Sequence, residues 1–248
     1  MILRKSKTEL CYMLEAGRVV ALTLQELERA IGPGVSTAEL DALAEDFIRR
    51  RGAKPAFKGL YGFPASICTS INDQVVHGIP GPRRLNAGDI ISIDVGAEVN
   101  GFYGDAAATF PVGEISDEAA RLLQVTREAL HKGIDKAVAG NRLSDISYAV
   151  QSHVESYGFS VVRDFVGHGI GSKMHEEPQI PNFGPPGRGP RLEEGMTLAI
   201  EPMVNEGTYE VLILRDNWTV VTMDGKLSAH FEHTVAVRDG AAEILTRP

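Results

Sequence analysis

Apolar residues recur at helical spacing in two stretches of the first fifty residues. The first stretch, residues 10–27, follows Ser6-Lys7-Thr8-Glu9, and the second opens at Ser36-Thr37-Ala38-Glu39 and ends after Arg51. In both openings a serine stands three residues before a glutamate, which is the sequence pattern of a capping box. The chain is therefore expected to begin with a pair of helices.

A similar order of elements returns in the second half. The pattern predicts a helix from Ser116 to about Gly140 and another from Ser144 to Tyr157. Helix, helix and strands thus occur twice. We expect an α+β fold with one domain, residues 1–248, made of two internally duplicated halves of roughly 1–112 and 113–248. The site should lie on the pseudo-twofold axis between them.

Short runs rich in β-branched and apolar residues predict the strands. These runs are residues 66–71, 89–96, 102–110, 159–164, 198–204, 209–214, 218–223 and 230–237. Asn100-Gly101 is a strong hairpin signal between the second and third runs. A turn there places Asp94 opposite Ala107 and puts Asp105 on the same face as Asp94, at a diagonal distance of about 7 Å. Two carboxylates are therefore expected to converge.

The segment 165–178 carries two histidines among glycines. His168 stands between Gly167 and Gly169, and His175 follows seven residues later. Glycine gives the backbone freedom to bend, so we predict an irregular segment that presents two imidazoles. Taken alone, a histidine in this setting is more often structural than a ligand.

Five residues together form a candidate metal site. Glu201 precedes Pro202, which interrupts strand pairing, and Glu232 stands in an apolar strand where an unpaired charge is costly. Each carboxylate alone has a surface or turn explanation, but their joint occurrence beside apolar strand residues favours a site. The set is oxygen-rich and suits two hard divalent cations. It consists of Asp94, Asp105, His168, Glu201 and Glu232.

Composition narrows the class of protein. The net charge of -8 argues against a nucleic-acid surface as the main function, and no apolar run approaches the length of a membrane span. The N-terminal residues show no secretion signal, and Cys11 and Cys68 form no disulfide framework. A cytoplasmic location is expected.

Several motifs, in this order, resemble those of type I methionine aminopeptidases. The resemblance covers essentially the whole chain. The start at the first helix, with no zinc-finger arm, is similar to the short bacterial form. The matching segments are His77 in Ser-Ile-Asn-Asp-Gln-Val-Val-His-Gly-Ile-Pro, Asp94 in Ile-Asp-Val-Gly, Asp105 in Tyr-Gly-Asp-Ala-Ala-Ala-Thr-Phe, His168 and His175 in Gly-His-Gly-Ile-Gly-x-x-x-His-Glu-x-Pro, Glu201 in Ile-Glu-Pro, and Glu232 in Phe-Glu-His-Thr.

The resemblance implies a pita-bread fold, with a central antiparallel sheet, and a two-metal peptidase that removes the initiator methionine when the second residue is small. Asp105 and Glu232 would bridge two divalent ions, Asp94 would hold one, and His168 and Glu201 the other. The metals could be cobalt, manganese, iron or zinc, and a hydroxide between them would attack the first peptide bond. Since His168 should be the last ligand to lose its proton, metal occupancy is expected to fall below about pH 6.

Three further roles follow from the same resemblance. Glu201 or a neighbouring carboxylate would relay protons, His175 would stabilise the oxyanion, and His77 would contact the substrate near the scissile nitrogen. His131 and His153 lie on predicted helices and are expected to be solvated. His230 and His233 flank Glu232 and are candidates to support the ligands.

The methionine side-chain pocket departs from the family pattern in part. Phe63 and Trp218 match aromatic lining positions. Phe57 stands where bacterial relatives often carry cysteine, Leu60 where they carry tyrosine, and Met174 where they carry an aromatic residue. An apolar, polarizable lining still suits a thioether. The departures affect the expected shape of the pocket and not the reaction.

Two alternatives stay open at this point. One is a pita-bread peptidase that cuts before proline, although such enzymes usually carry an extra N-terminal domain and lack the stretch leading into His77. The other is a non-catalytic peptide-binding scaffold, although known scaffolds have lost metal ligands. The expected partners are nascent polypeptide N-termini, at the ribosome, with no nucleic acid or membrane as ligand. Nothing in the sequence demands more than a monomer.

Overall fold

The fold is described for residues 2–248 from a computed structural model. Four α-helices and one short 3-10 helix, Leu60–Gly62, occur in this range. The α-helices are α1 (Lys7–Ala30), α2 (Thr37–Arg50), α3 (Asp117–Ile134) and α4 (Leu143–Ser156). The strands, in chain order, are β1 (Lys54–Pro55), β2 (Ile67–Ile71), β3 (Gln74–Val76), β4 (Ile90–Val99), β5 (Phe102–Pro111), β6 (Ser160–Val161), β7 (Gly167–Gly169), β8 (Glu176–Ile180), β9 (Thr197–Ile200), β10 (Met203–Asn205), β11 (Val211–Ile213), β12 (Val220–Thr222), β13 (Ser228–His230), β14 (His233–Ala236) and β15 (Glu243–Ile244).

The helix starts follow from their caps. Ser6 and Ser36 form the two predicted capping boxes with Glu9 and Glu39. Helix α4, in contrast, begins one residue before the predicted cap. The Ser144 hydroxyl accepts a hydrogen bond from the Arg188 backbone N–H at 2.7 Å and so does not cap the helix. Arg142 is the cap residue instead.

Helix α3 ends earlier than predicted. The expected end was near Gly140, but the last helical residue is Ile134. The backbone N–H of Ala139 donates to Arg238 and that of Gly140 donates to Leu192. Tertiary hydrogen bonds to distant segments thus replace the helical bonds over residues 139–140.

The β4–β5 hairpin has the predicted register. Asn100 and Gly101 form its turn with φ values of 52° and 81°. Asp94 pairs with Ala107, and Asp105 pairs with Gly96. Since side chains alternate between the two faces of a strand, both aspartates point to one face of this sheet.

Two predicted strands are each divided into two. Residues 198–204 form β9 and β10, and residues 230–237 form β13 and β14. The interruptions fall at Glu201-Pro202 and at Phe231-Glu232. Strands β9 and β14 pair in a five-stranded sheet, while β10 and β13 pair in a separate three-stranded sheet. Both glutamates therefore lie where the chain passes from one sheet to another.

The sheets surround one central region. The strand orders are β1-β4-β2 with β5 on β4, β13-β10-β6, β11-β12-β3, and β15-β14-β9-β7-β8. All of these strand pairings are antiparallel. Strands β3 and β8 were not predicted, since β3 is short and β8 begins with charged residues. Gly167-His168-Gly169 is strand β7, so the expectation of an irregular segment there was wrong. Hydrogen bonding to β8 and β9 holds these glycines extended.

Two apolar clusters support the two halves. Helices α1 and α2 cover the sheet of β4, with Leu27, Leu40 and Ile93 buried between them. Helices α3 and α4 cover the second half, with Leu122 and Val150 in its core. Each large apolar side chain buried in this way contributes about 1.5–3 kcal/mol. The helices therefore lie outside, and the strand ends meet on the inside.

Candidate active site

A large cavity lies where the strand ends meet. Its volume is about 760 Å³, and its lining comes from segments of both halves of the chain. Every predicted site residue except Met174 lines it. These residues are Phe57, Leu60, Phe63, His77, Asp94, Asp105, His168, His175, Glu201, Trp218 and Glu232. The structure therefore brings together residues that are up to 175 positions apart in the sequence.

The buried end of the cavity holds the predicted ligand set. Ligand atoms of Asp105, His168 and Glu232 lie within 4.8 Å of one another, and so do those of Glu201, His230 and Glu232. His168 Nε2 is 3.7 Å from Asp105 Oδ2 and 3.6 Å from Glu201 Oε1. Glu232 is thus common to two groups, each able to hold one cation.

The orientation of His168 suits a ligand. Its Nδ1 lies 2.9 Å from the carbonyl oxygen of Gly169. A proton on Nδ1 donates to that carbonyl, which leaves the lone pair of Nε2 directed at the carboxylates. Strand β7 therefore fixes both the position and the tautomer of the imidazole.

The donor set fits divalent cations. Asp94 Oδ1, Asp105 Oδ1 and Glu232 Oε1 are buried oxygen atoms with no hydrogen-bond partner among the described residues. Each such unpaired buried polar group costs about 1–3 kcal/mol. A bound hard cation would satisfy these oxygens, because carboxylate oxygen is its preferred ligand.

Apolar and aromatic side chains form the wall beside this ligand set. The rings of Phe63 and Trp218 meet edge to face, with centroids 5.0 Å apart. Phe57 and Leu60 complete the wall. His77 reaches the cavity from a left-handed backbone position, with φ of 60°, and its ring lies 6.5 Å from that of Trp218. These residues enclose an apolar space next to the buried carboxylates.

Met174 differs from the expectation for the pocket. It is buried in the same apolar cluster as Phe57 and does not line the cavity. A Cβ atom on Gly96 would lie 2.6 Å from Met174 Cε and 2.7 Å from Phe57 Cε1. Met174 thus packs behind the pocket wall, in space that Gly96 leaves free. Cys68 and Met203 also line the cavity, although no sequence motif marks them as site residues.

The open end of the cavity carries His175 and Tyr61. The His175 ring lies 4.5 Å from that of His168 and 5.8 Å from that of Tyr61, with an angle of 20° between the latter two planes. Tyr61 is 77% exposed and has a left-handed φ of 50°. No motif in the sequence singled out Tyr61. The glycines on either side of it, Gly59 and Gly62, are the signal that marks an unusual backbone there.

Comparison with known proteins places the chain in a family. The family model described as "Metallopeptidase family M24" matches residues 11–239. The chain belongs to this family. It is 61% identical over 247 residues to the methionine aminopeptidase of Clostridium acetobutylicum, with 99% of each chain covered. It is 59% identical to methionine aminopeptidase 1 of Bacillus subtilis, with 100% of each covered. The predicted resemblance is confirmed.

Solved structures of other peptidases share the fold. The methionine aminopeptidase of Thermotoga maritima matches with a TM-score of 0.99 and 47% identity over 100% of both chains. The prolidase of Pyrococcus furiosus matches with a TM-score of 0.80 and 23% identity, over 99% of this chain and 65% of that one. The second likeness concerns the fold alone. The predicted α+β pita-bread fold is confirmed.

Burial and mutual repulsion raise the pKa values of the carboxyl groups in this M24 site. Burial, together with the charge of Glu201, raises the pKa of Asp94 to about 7. Burial raises the pKa of Glu201 to about 8. Burial and the neighbouring carboxylates also raise the pKa values of Asp105 and Glu232. Without cations, the site therefore holds protons near neutral pH.

The pKa of the His168 imidazole is shifted in the opposite direction. Burial, and then the nearby His175, lower the pKa of His168 to about 4. The expectation that His168 is the last ligand to lose its proton was therefore wrong. Burial disfavours the charged form of every group, and that form is the ionised carboxylate but the protonated imidazole.

The four remaining histidines lie in different surroundings. His230 is buried, with Nε2 3.6 Å from Glu201 Oε2. His233 instead has its Nδ1 2.8 Å from the Thr246 hydroxyl. His153 is not freely solvated as expected, because its Nε2 lies 3.0 Å from Glu128 on the adjacent helix. His131 is exposed as predicted. Of the two histidines that flank Glu232, only His230 contacts the site.

Among residues 2–248, no helix has both the length and the apolar character needed to span a membrane.

Proposed function

We propose that this chain is a methionine aminopeptidase that hydrolyses the first peptide bond of nascent polypeptides when the second residue is small. The observation that carries the proposal is an apolar, aromatic-lined pocket directly beside a buried ligand set. The full-length relatives at 59–61% identity carry the same activity in their names. An unbranched apolar side chain such as methionine suits such a pocket.

We further propose two divalent cations as cofactors, held by Asp94, Asp105, His168, Glu201 and Glu232. Glu232 belongs to both groups of mutually close ligand atoms, which supports two cations, and His230 completes the second group. Asp94 is in neither group and is included because its buried Oδ1 lacks a hydrogen-bond partner. When bound, such cations polarise a carbonyl and lower the pKa of coordinated water toward neutrality. Oxygen-rich donors of this kind accept manganese, iron, cobalt and zinc, and supply in the cell selects among them.

Three side chains would assist the reaction. Glu201 or a neighbouring carboxylate, at the buried end of the cavity, would relay protons. His175, at the open end of the cavity, would donate to the oxygen that gains negative charge at the scissile carbonyl. His77, whose pKa burial lowers to about 4, stays neutral and would contact the substrate near the scissile nitrogen.

Phe57, Leu60, Phe63 and Trp218 would hold the methionine side chain. Their contact with a thioether is apolar and dispersive, so the pocket selects by size and polarizability. Met174 would act only indirectly, by supporting Phe57 from behind. The pocket lies next to the buried end of the cavity, so a peptide would enter with its amino terminus first.

The setting of the reaction follows from its substrate. Nascent chains are made on ribosomes, so we propose a cytoplasmic enzyme that acts close to the ribosome. We also propose that it is monomeric, since nothing in the sequence demands a second subunit. The two halves, residues 1–112 and 113–248, would be pseudo-repeats of one catalytic domain. The repeated order of two helices followed by strands supports this division.

A peptide series tests the proposed activity. Purified chain is incubated with Met-Ala-Ser, Met-Ile-Ser and Ala-Pro-Ser, and free amino acids are measured with and without a chelator. We expect methionine release from Met-Ala-Ser only, with loss of release in chelator and recovery on adding Mn²⁺ or Co²⁺. Cleavage of Ala-Pro-Ser alone would favour the proline-directed alternative. Binding of Met-Ala-Ser without cleavage at any metal concentration would favour the scaffold alternative.

A further inference from the structure

The segment before α1, residues 3–5, packs against the second half of the chain and reaches the cavity. The backbone N–H of Lys5 donates to the Gly195 carbonyl at 2.7 Å, and Arg4 Nε donates to the Glu194 carbonyl at 2.9 Å. Leu3 lines the cavity. This segment is therefore held next to the site by residues far from it in sequence.

Lys5 makes a buried ion pair there. Its Nζ lies 2.6 Å from Glu176 Oε2, and the two side chains are only 4% and 8% exposed. The neighbouring pair of Arg4 and Glu193, at 3.1 Å, is 60% and 53% exposed. Exposed pairs contribute little, whereas a buried pair holds its partners in a fixed geometry, because separating them leaves a buried charge uncompensated.

Glu176 organises the loop between β7 and β8. Its second carboxylate oxygen, Oε1, accepts hydrogen bonds from the Lys173 backbone N–H at 3.2 Å and from the Ser172 hydroxyl at 3.4 Å. Gly171 lies against Lys5, and a Cβ atom added there would be 2.6 Å from Lys5 Nζ and 2.7 Å from Glu176 Oε1. The loop is thus closed on itself by one carboxylate that Lys5 neutralises.

This loop carries one of the proposed catalytic groups. His175 directly precedes Glu176, and His168 lies at the other side of the loop, on β7. The His175 side chain itself is exposed, and its ring contacts are with His168 and Tyr61. Its position therefore depends on the backbone of the loop more than on packing around the ring.

We infer that Lys5 is a positioning residue for the reaction, which acts through Glu176 to hold His175 where the oxyanion forms. The inference rests on the role proposed above for His175. Lys5 does not contact the substrate. A misplacement of a catalytic group by about 1 Å can lower the rate about a hundredfold, so the ion pair should influence turnover from outside the cavity.

The test compares Lys5→Met with Arg4→Met, a matched change one residue away at an exposed pair. With Met-Ala-Ser as substrate, we expect Lys5→Met to lower kcat at least tenfold, with KM changed less than about threefold and metal content unchanged. Arg4→Met should keep kcat within about twofold of the parent. Gly171→Ala should act like Lys5→Met, because its Cβ atom displaces the Lys5 amine without removing any charge.

The same substitutions in a His175→Ala background distinguish an effect on the position of His175 from a general loss of activity. If Lys5 acts through His175, Lys5→Met should change the residual kcat of His175→Ala by less than about twofold. An equal loss in both backgrounds, or a parent-like kcat for Lys5→Met, would overturn the inference. If His175→Ala alone leaves kcat unchanged, the proposed role of His175 is wrong, and that result is distinct from a failure of Lys5.

A double variant protects the test against misfolding. Lys5→Met leaves the Glu176 carboxylate buried and unpaired, whereas Lys5→Met with Glu176→Gln removes both charges and should recover thermal stability. We expect this double variant to stay at least tenfold below the parent in kcat, since the link to the loop is still absent. Recovery of kcat together with stability would show a purely structural role and refute the inference.

Discussion

In the metal-free protein, the free energy of unfolding should fall as the pH rises from 6.5 to 8. Two of the groups responsible are Glu201, with a pKa of about 8, and Asp94, with a pKa of about 7. Their ordinary values are 4.5 and 3.8. Across this window the folded state therefore holds protons that the unfolded state has already lost. Stability from a raised pKa is present at low pH and disappears as the pH passes through the folded value.

The size of this loss of stability follows from the width of the pH range. One retained proton changes the free energy of unfolding by about 1.4 kcal/mol per pH unit. Glu201 is half deprotonated only at about pH 8 and Asp94 at about pH 7, so these two groups together lower the free energy of unfolding by about 2 kcal/mol over the window. Asp105 and Glu232, whose pKa values are also raised, can only add to this fall.

His77, His168 and His233, each with a pKa lowered to about 4, act in the opposite direction, mainly between about pH 4 and 7. The pKa values of His175 and His230 are also lowered, and these groups act in the same way. Above about pH 7 the carboxyl groups therefore dominate the pH dependence.

Urea unfolding of chelator-treated protein at pH 6.5, 7.25 and 8.0 measures this fall. With a slope of ~3 kcal/mol per molar urea, the midpoint should decrease by roughly 0.7 M at constant slope. Glu201→Gln, which cannot titrate, should reduce the fall by roughly 1.5 kcal/mol. Metal-loaded protein should be more stable at each pH by mass action. A free energy of unfolding that is constant or rises between pH 6.5 and 8 without metal would refute the reasoning.

Three further predictions concern the reaction. His175→Ala should lower turnover on the order of a hundredfold while metal content stays at the parent level, and loss of metal together with activity would contradict the oxyanion role. Gly96→Ala should push Phe57 toward the cavity, since the new Cβ atom meets Phe57 Cε1 at 2.7 Å; KM for Met-Ala-Ser should rise, and an unchanged KM would show that the wall adapts. Ile2 is large and β-branched, so the chain should keep its own Met1, which lies outside the described residues. Intact mass of native protein measures this, and Ile2→Ala in active enzyme should lose one methionine.

Local patterns in the sequence were sufficient for the starts of the first two helices and for the first hairpin. The capping boxes at Ser6 and Ser36 and the Asn100-Gly101 turn form as predicted. Each depends on hydrogen bonds and backbone angles within a few residues, so neighbouring residues decide them. The same hairpin register placed Asp94 and Asp105 on one face before any tertiary contact was considered.

Contacts between distant segments decided the rest. The splitting of two predicted strands at Glu201 and Glu232 depends on which sheet each half joins, and no local pattern carries that information. The early end of α3 and the extended Gly-His-Gly strand likewise result from hydrogen bonds to remote backbone. Burial reversed the expected order of protonation, because desolvation depends on the packed surroundings and not on residue type. The link from Lys5 to Glu176 joins residues 171 positions apart, so only the tertiary structure could reveal it.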